Sequence, residues 1–113
     1  MNNLNSFLVE GNLVRDPELT ITEAGNSVCN FTIASNRYYK NGSGEPIQEV
    51  SYFDCVAWNG LAEVCSEYLH KGRGVRIVGR LKQDRWIDTD GNKKARIKVI
   101  CDSVDFKPVF TQH

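Results

Sequence analysis

Only one stretch of this chain has the spacing of a helix, and it is short. Leu61, Val64, Cys65, Tyr68 and Leu69 recur at the i, i+3, i+4, i+7 and i+8 positions of one helical face. Around it the sequence alternates with a period of two or is rich in β-branched and aromatic residues, so strands must bury most of the apolar side chains. The length, 113 residues, predicts one domain with enough interior for a core without disulfide or metal staples.

Residues 4–14 are β-prone and end at the turn Arg15-Asp16-Pro17. Gly11, inside that strand, weakens it unless the chain must bend or bulge there. Residues 18–22 form a short strand turned by Ala24-Gly25-Asn26, and residues 28–36 a strand with Cys29, Phe31 and Ile33 on one face. Residues 37–40 lead into a flexible loop, Asn41-Gly42-Ser43-Gly44-Glu45-Pro46. A long strand covers residues 48–58. Asn59 then caps the helix, His70 and Lys71 suit its negative end, and Gly72 stops it. A strand over residues 74–86, with Gly79 inside it, is joined to the last strand, 94–104, by the hairpin signal Asp90-Gly91. In that last strand Ala95, Ile97, Val99 and Cys101 oppose Lys94, Arg96 and Lys98.

Three main strands, a helix and two more strands, with glycines where a sheet can curl, predict an all-β OB-fold. This is a five-stranded, partly open barrel with one α-helix between strands 3 and 4. An SH3-like barrel or a small α+β domain has a similar element count.

The formal charge is zero, by cancellation. Lys71 to Lys98 contain ten cations and three anions, whereas residues 1–70 contain three cations and nine anions. Within the positive part, Arg80-Leu81-Lys82-Gln83-Asp84-Arg85-Trp86 joins cations, which hold phosphates, to an indole, whose flat face accepts a base. That pairing marks single-stranded nucleic-acid binding. The alternative for Lys94, Arg96 and Lys98 is a solvated strand whose charges discourage edge-to-edge pairing.

Cys29, Cys55, Cys65 and Cys101 are widely spaced, lack a C-x-x-C pair and sit among apolar neighbours. They read as four buried free thiols, with no metal, which fits a reducing, cytoplasmic compartment. No apolar run approaches the ~20 residues needed to cross a bilayer, and the N-terminus lacks the basic patch of a signal peptide. Catalysis and cofactors are not expected. The two histidines, His70 and His113, lie in no nucleophile motif. Cys65 and His70, five apart on a helix, point about 140° away from each other.

Three motifs, in order, narrow the reading: Gly11-Asn12-Leu13-Val14-Arg15-Asp16-Pro17-Glu18; Leu61-Ala62-Glu63 through Tyr68-Leu69-His70-Lys71-Gly72; and Val78-Gly79-Arg80-Leu81 followed by Trp86 and Asp90-Gly91. Over roughly residues 5 to 105 the chain resembles bacterial single-stranded DNA-binding proteins. The resemblance implies a homotetramer that binds and protects single-stranded DNA in replication, recombination and repair, with little sequence preference. It places stacking residues at Tyr39, Tyr52, Trp58 and Trp86 and phosphate contacts at Lys40, Lys71, Lys82 and Arg85. The charge pattern adds Arg80, Arg96 and Lys98.

Some positions depart from the family pattern. Asp54 and Asp84 put acids where a cation or a neutral group is expected, Gly60 replaces a frequent lysine, and Phe53 falls near a subunit interface. Residues 1–106 are read as the binding domain and 107–113 as a short remnant without the family's acidic-tipped tail, so partners recruited through such a tail are not expected from this chain. Stacking does not distinguish DNA from RNA, so an RNA-binding barrel remains an alternative. So does a protein-interaction barrel, which Asp54 and Asp84 favour.

Overall fold

The computed structural model describes residues 1–108, so residues 109–113 of the expected C-terminal remnant, His113 included, lie outside the described residues. Among the described residues the order is β1 (Phe7–Leu13), β2 (Glu18–Ile21), β3 (Ser27–Lys40), β4 (Pro46–Trp58), α1 (Asn59–Tyr68), β5 (Gly74–Ile87) and β6 (Lys93–Phe106). The sheet runs β1-β5-β6-β4-β3-β2, and β1 also pairs with β3, which closes β1, β5, β6, β4 and β3 into a five-stranded barrel. This is the expected OB-fold, with β2 an additional short strand on the outer edge of β3. Closure depends on two short seams, Asn12↔Ala34 with Leu13↔Ile33, and the parallel pairs Cys55↔Val99 and Val56↔Ile100.

Both mid-strand glycines lie where the barrel closes. At Gly11, β1 passes from β5 to β3; a Cβ there would be 2.5 Å from the Ala34 carbonyl oxygen. Gly79 sits at the register shift between β5 and β6, against the Ile100 carbonyl. The bend expected of Gly11 is therefore a change of partner strand that only a residue without a side chain permits.

The core inside the barrel comprises Leu13, Cys29, Phe31, Ile33, Cys55, Ala57, Val75, Ile77, Val99 and Cys101, covered at one end by Ala62, Cys65 and Leu69 of the helix and its exit. All four cysteines are free and buried, as read from their apolar company. Phe7 and Phe53 pack edge to face, 5.3 Å between centroids, at the margin of the core.

Three local expectations are corrected. Strand β3 does not end at residue 36 but continues to Lys40, because residues 36–40 pair with 46–50 of β4 and extend the hairpin beyond the barrel. Asn59 does not cap the helix. It adopts φ 56 as the first helical residue, Trp58 is the extended N-cap residue, and no side chain caps the end. The buried helical strip is rotated from the expected one: Ala62 and Cys65 face inward while Val64 and Tyr68 are exposed. A helix lying across a barrel mouth contacts the core along a narrow line, and the small Ala62 fits the close approach. Tyr68 instead leans on Phe106, 6.2 Å between ring centroids.

Candidate nucleic-acid interface

Register determines which side chains share the outer wall of the barrel. Directly opposed residues in neighbouring strands point the same way. The pairs Val28↔Trp58, Asn30↔Val56, Thr32↔Asp54 and Ala34↔Tyr52 therefore share one face of β3 and β4. Val56↔Ile100 carries that face onto β6, and Arg80↔Ile100, Lys82↔Lys98, Asp84↔Arg96 and Trp86↔Lys94 carry it onto β5. The result is one continuous outer surface holding Tyr52, Trp58, Trp86, Arg80, Lys82, Lys94, Arg96 and Lys98.

A buried apolar patch, Val28, Val56 and Ile100, forms the floor of this surface outside the main core. Beside it lies a groove of about 260 Å³ lined by Arg15, Thr32, Asp54, Asp84, Arg96 and Lys98 among others. The aromatic residues stand out from the floor: Tyr52 is 67% exposed, Trp58 42% and Trp86 46%. Large aromatic rings left this open while a core forms behind them have faces free to stack.

The charges between them are paired. Asp54 accepts a hydrogen bond from the Thr32 hydroxyl (2.8 Å) and contacts Arg96 (3.0 Å), while Arg15 donates to the Thr32 oxygen (3.2 Å). Asp84 contacts Lys98 at 2.8 Å and Lys82 at 3.8 Å. The hydrogen bond from Lys98, helped by the charges of Lys98, Lys82 and Arg96, lowers the Asp84 pKa below its ordinary value against the opposing effect of desolvation. Arg80 faces Asp102 at 3.5 Å and Lys94 faces Asp88 at 3.9 Å. In the sequence Asp54 and Asp84 look like misplaced acids; the structure shows each as the partner of a cation.

The expected site residues divide into groups. Tyr52, Trp58, Trp86, Arg80, Lys82, Arg96 and Lys98 are brought together on this wall, and Lys40, opposite Pro46, follows the same parity at the far end of the β3–β4 hairpin. Tyr39 and Arg85 have the opposite parity. Tyr39 lies with Ile47, its hydroxyl donates to Glu49 (3.1 Å), and the Arg37 guanidinium covers its ring at 4.7 Å. Arg85 donates to Gln83 (2.9 Å) on the reverse of the β5–β6 hairpin. Lys71 lies apart from these strands, on the α1–β5 turn, where its backbone N–H donates to Asp16 (2.8 Å).

Sequence reasoning misses Tyr38. It is 70% exposed and shares the Tyr52 face through Tyr38↔Gln48. Continuing the alternation 28, 30, 32, 34, 36 by one more step reaches it. Lys94, opposite Trp86, belongs to the charge alternation of the last strand, but only the register places it beside that ring on the wall.

The profile of the Single-strand binding protein family matches residues 4–107. Among curated relatives, "Single-stranded DNA-binding protein 1" of Chlorobaculum tepidum is 41% identical over 99 residues, 87% of this chain and 61% of that protein. The single-stranded DNA-binding protein of Treponema pallidum is 38% identical over 104 residues, 92% of this chain and 58% of that one. The chain thus spans about three fifths of the length of these two relatives. A solved structure described as "Plasmodium falciparum SSB complex with ssDNA" has a TM-score of 0.87 at 22% identity, covering 96% of this chain and 98% of that one. At that identity the likeness concerns the fold. The chain belongs to the single-strand binding protein family.

Proposed function

We propose that this chain binds single-stranded DNA with little sequence preference, by stacking bases on Tyr52, Trp58 and Trp86 and holding phosphates with Lys40, Arg80, Lys82, Arg96 and Lys98. The observation that carries this reading is the coincidence of three exposed aromatic rings and a row of cations on one barrel wall. Every base has a π-face, so stacking tolerates any sequence and contributes about 1–3 kcal/mol per base. Duplex DNA hides those faces and gains only the phosphate term. Tyr39 and Lys71 join the contact where the strand passes round the β3–β4 hairpin edge or reaches the α1–β5 turn, whereas Arg85, on the reverse of the β5–β6 hairpin, takes little part. Binding is the activity and no catalytic step belongs to it; its context is replication, recombination and repair, in the cytoplasm, on the nucleoid.

The acting form is a homotetramer. Family membership supports this, as does the exposure of Leu8 on the outer side of β1. Among the described residues no helix is long and apolar enough to cross a membrane.

The test is intrinsic tryptophan fluorescence titrated with oligo-dT of about 35 nucleotides and with a duplex of equal length. Strong quenching by the single strand, little by the duplex, and weaker binding by Trp86→Ala is the expected pattern. Absence of any binding at low salt refutes the proposal and leaves a protein-interaction barrel in its place. Sedimentation at micromolar concentration tests the tetramer; a monomer refutes it.

A further inference from the structure

The cations at the centre of the barrel wall are paired with carboxylates. Arg96 is held by Asp54 (3.0 Å) and Lys98 by Asp84 (2.8 Å), with Lys82 on the other side of Asp84 (3.8 Å). Asp54 is itself fixed, since its second oxygen accepts from Thr32. Stability does not explain these carboxylates, because partly exposed ion pairs of this kind contribute little to folding. Nor does solubility require them on the face that carries the stacking rings.

We infer that Asp54 and Asp84 are specificity-determining residues of this wall, built-in competitors of the phosphate backbone that weaken its hold on polyanions without exposed bases, duplex DNA above all. The inference rests on the proposed single-strand binding. A cation already facing a carboxylate gains less from a phosphate, and displacing the carboxylate leaves an anion beside the incoming one. This lowers the electrostatic term for every nucleic acid. A single strand still has stacking on Tyr52, Trp58 and Trp86, whereas a duplex, with its higher charge density, has only phosphates to offer and meets more repulsion. Specificity is the difference between the two affinities, and a repulsive element enlarges it.

The test is fluorescence anisotropy with labelled oligo-dT of about 35 nucleotides and a labelled duplex of equal length, across a salt series, for the unaltered chain, Asp84→Asn, Asp54→Asn and the double variant. Glu67→Gln, on the exposed surface of α1, changes net charge away from the wall and serves as control for the single variants. In the double variant, duplex affinity at low salt is expected to rise about ten-fold and single-strand affinity about two- to three-fold. The log–log salt slope should steepen by about 0.7–0.9 per released cation. Duplex affinity and slope unchanged, or raised in the single variants no more than in Glu67→Gln, overturn the inference, and so does equal tightening of both ligands. If the unaltered chain binds no oligo-dT at the lowest salt, the proposed function itself fails and this inference with it. Should Asp54→Asn unfold through loss of the Thr32 bond, Asp84→Asn alone decides between these outcomes.

Discussion

Gly79 packs so closely against the Ile100 carbonyl that a Cβ at this position would overlap its oxygen. The contact falls at the register shift between β5 and β6, where the Val78↔Ser103 pairing gives way to Gly79↔Cys101. Relief would require β6 to move, and β6 also forms the parallel seam to β4 that closes the barrel. Gly79→Ala is therefore expected to destabilise the fold by about 1–3 kcal/mol, the usual range for overpacking. Gly42→Ala, with open space around it and no positive φ, should change stability little. Urea midpoints at unchanged m-value decide it, and equal midpoints for the two variants would show that the seam yields without cost.

The four thiols should be silent in the folded protein. Burial pushes Cys29 up to about 11 and Cys65 up to about 12, with smaller contributions from neighbouring cysteines. Cys55, whose thiol donates to the Phe53 carbonyl oxygen (3.6 Å), is also raised, first by the neighbouring Cys101 thiol and then by burial. Thiolates are the reactive species, and Cys101 is buried with the other three, so a disulfide reagent at pH 8 should label none of the four until denaturant is added, then all four. Rapid labelling of the native chain at any one of them would contradict its place inside the barrel.

Tyr39 should ionise above the ordinary tyrosine range of ~10. The first cause is its hydrogen bond to Glu49 and the second is the Glu49 charge, with Arg37 opposing. An acid whose folded pKa is raised contributes stability that is complete below its unfolded pKa and is lost as pH climbs through the folded value. The difference in absorbance titration between the unaltered chain and Tyr39→Phe isolates this group. Glu49→Gln should bring its midpoint down; a midpoint that does not move would mean that the Tyr39–Glu49 bond is not formed in solution.

Much of the fold was legible because period-two alternation and turn chemistry are local. Phe31 and Ile33, Val99 and Cys101, and the hairpin at Asp90-Gly91 all lie where the pattern put them. The end of β3 was not, because residues 36–40 are polar and a hairpin arm extending past the barrel need not alternate with a core. The helix strip was rotated because apolarity at Val64 and Tyr68 does not reveal how narrow the barrel mouth is. At the site, the resemblance to the family marks Tyr39, Tyr52, Trp58 and Trp86, and the register puts the last three on one wall. Residue type could not separate Tyr38 from Tyr39, or Lys82 from Arg85, because side chains of opposite parity point to opposite faces and only the strand's full extent and pairing determine which is which. The pairing of Asp54 with Arg96 joins strands distant in sequence, and no short-range pattern predicts it.

That parity yields the sharpest separation between neighbouring cations. Lys82 and Trp86 share the outer wall with Lys98 and Lys94, whereas Arg85 is on the reverse, bonded to Gln83. On the proposed path, a strand lying along the wall would pass over Trp86 and Lys82 and leave Arg85 to solvent. Trp86→Ala should weaken oligo-dT binding by about 1–3 kcal/mol with little change in salt slope, since it removes a stacking surface and no charge. Lys82→Ala should make the log–log salt slope shallower by up to ~0.7, the value for one phosphate on a single strand. Arg85→Ala should leave both nearly as they were. Salt-series titrations of the three variants against one oligonucleotide measure all of this. If Arg85→Ala changes the slope as much as Lys82→Ala does, the strand passes round both faces of the β5–β6 hairpin, and a path confined to one wall is ruled out.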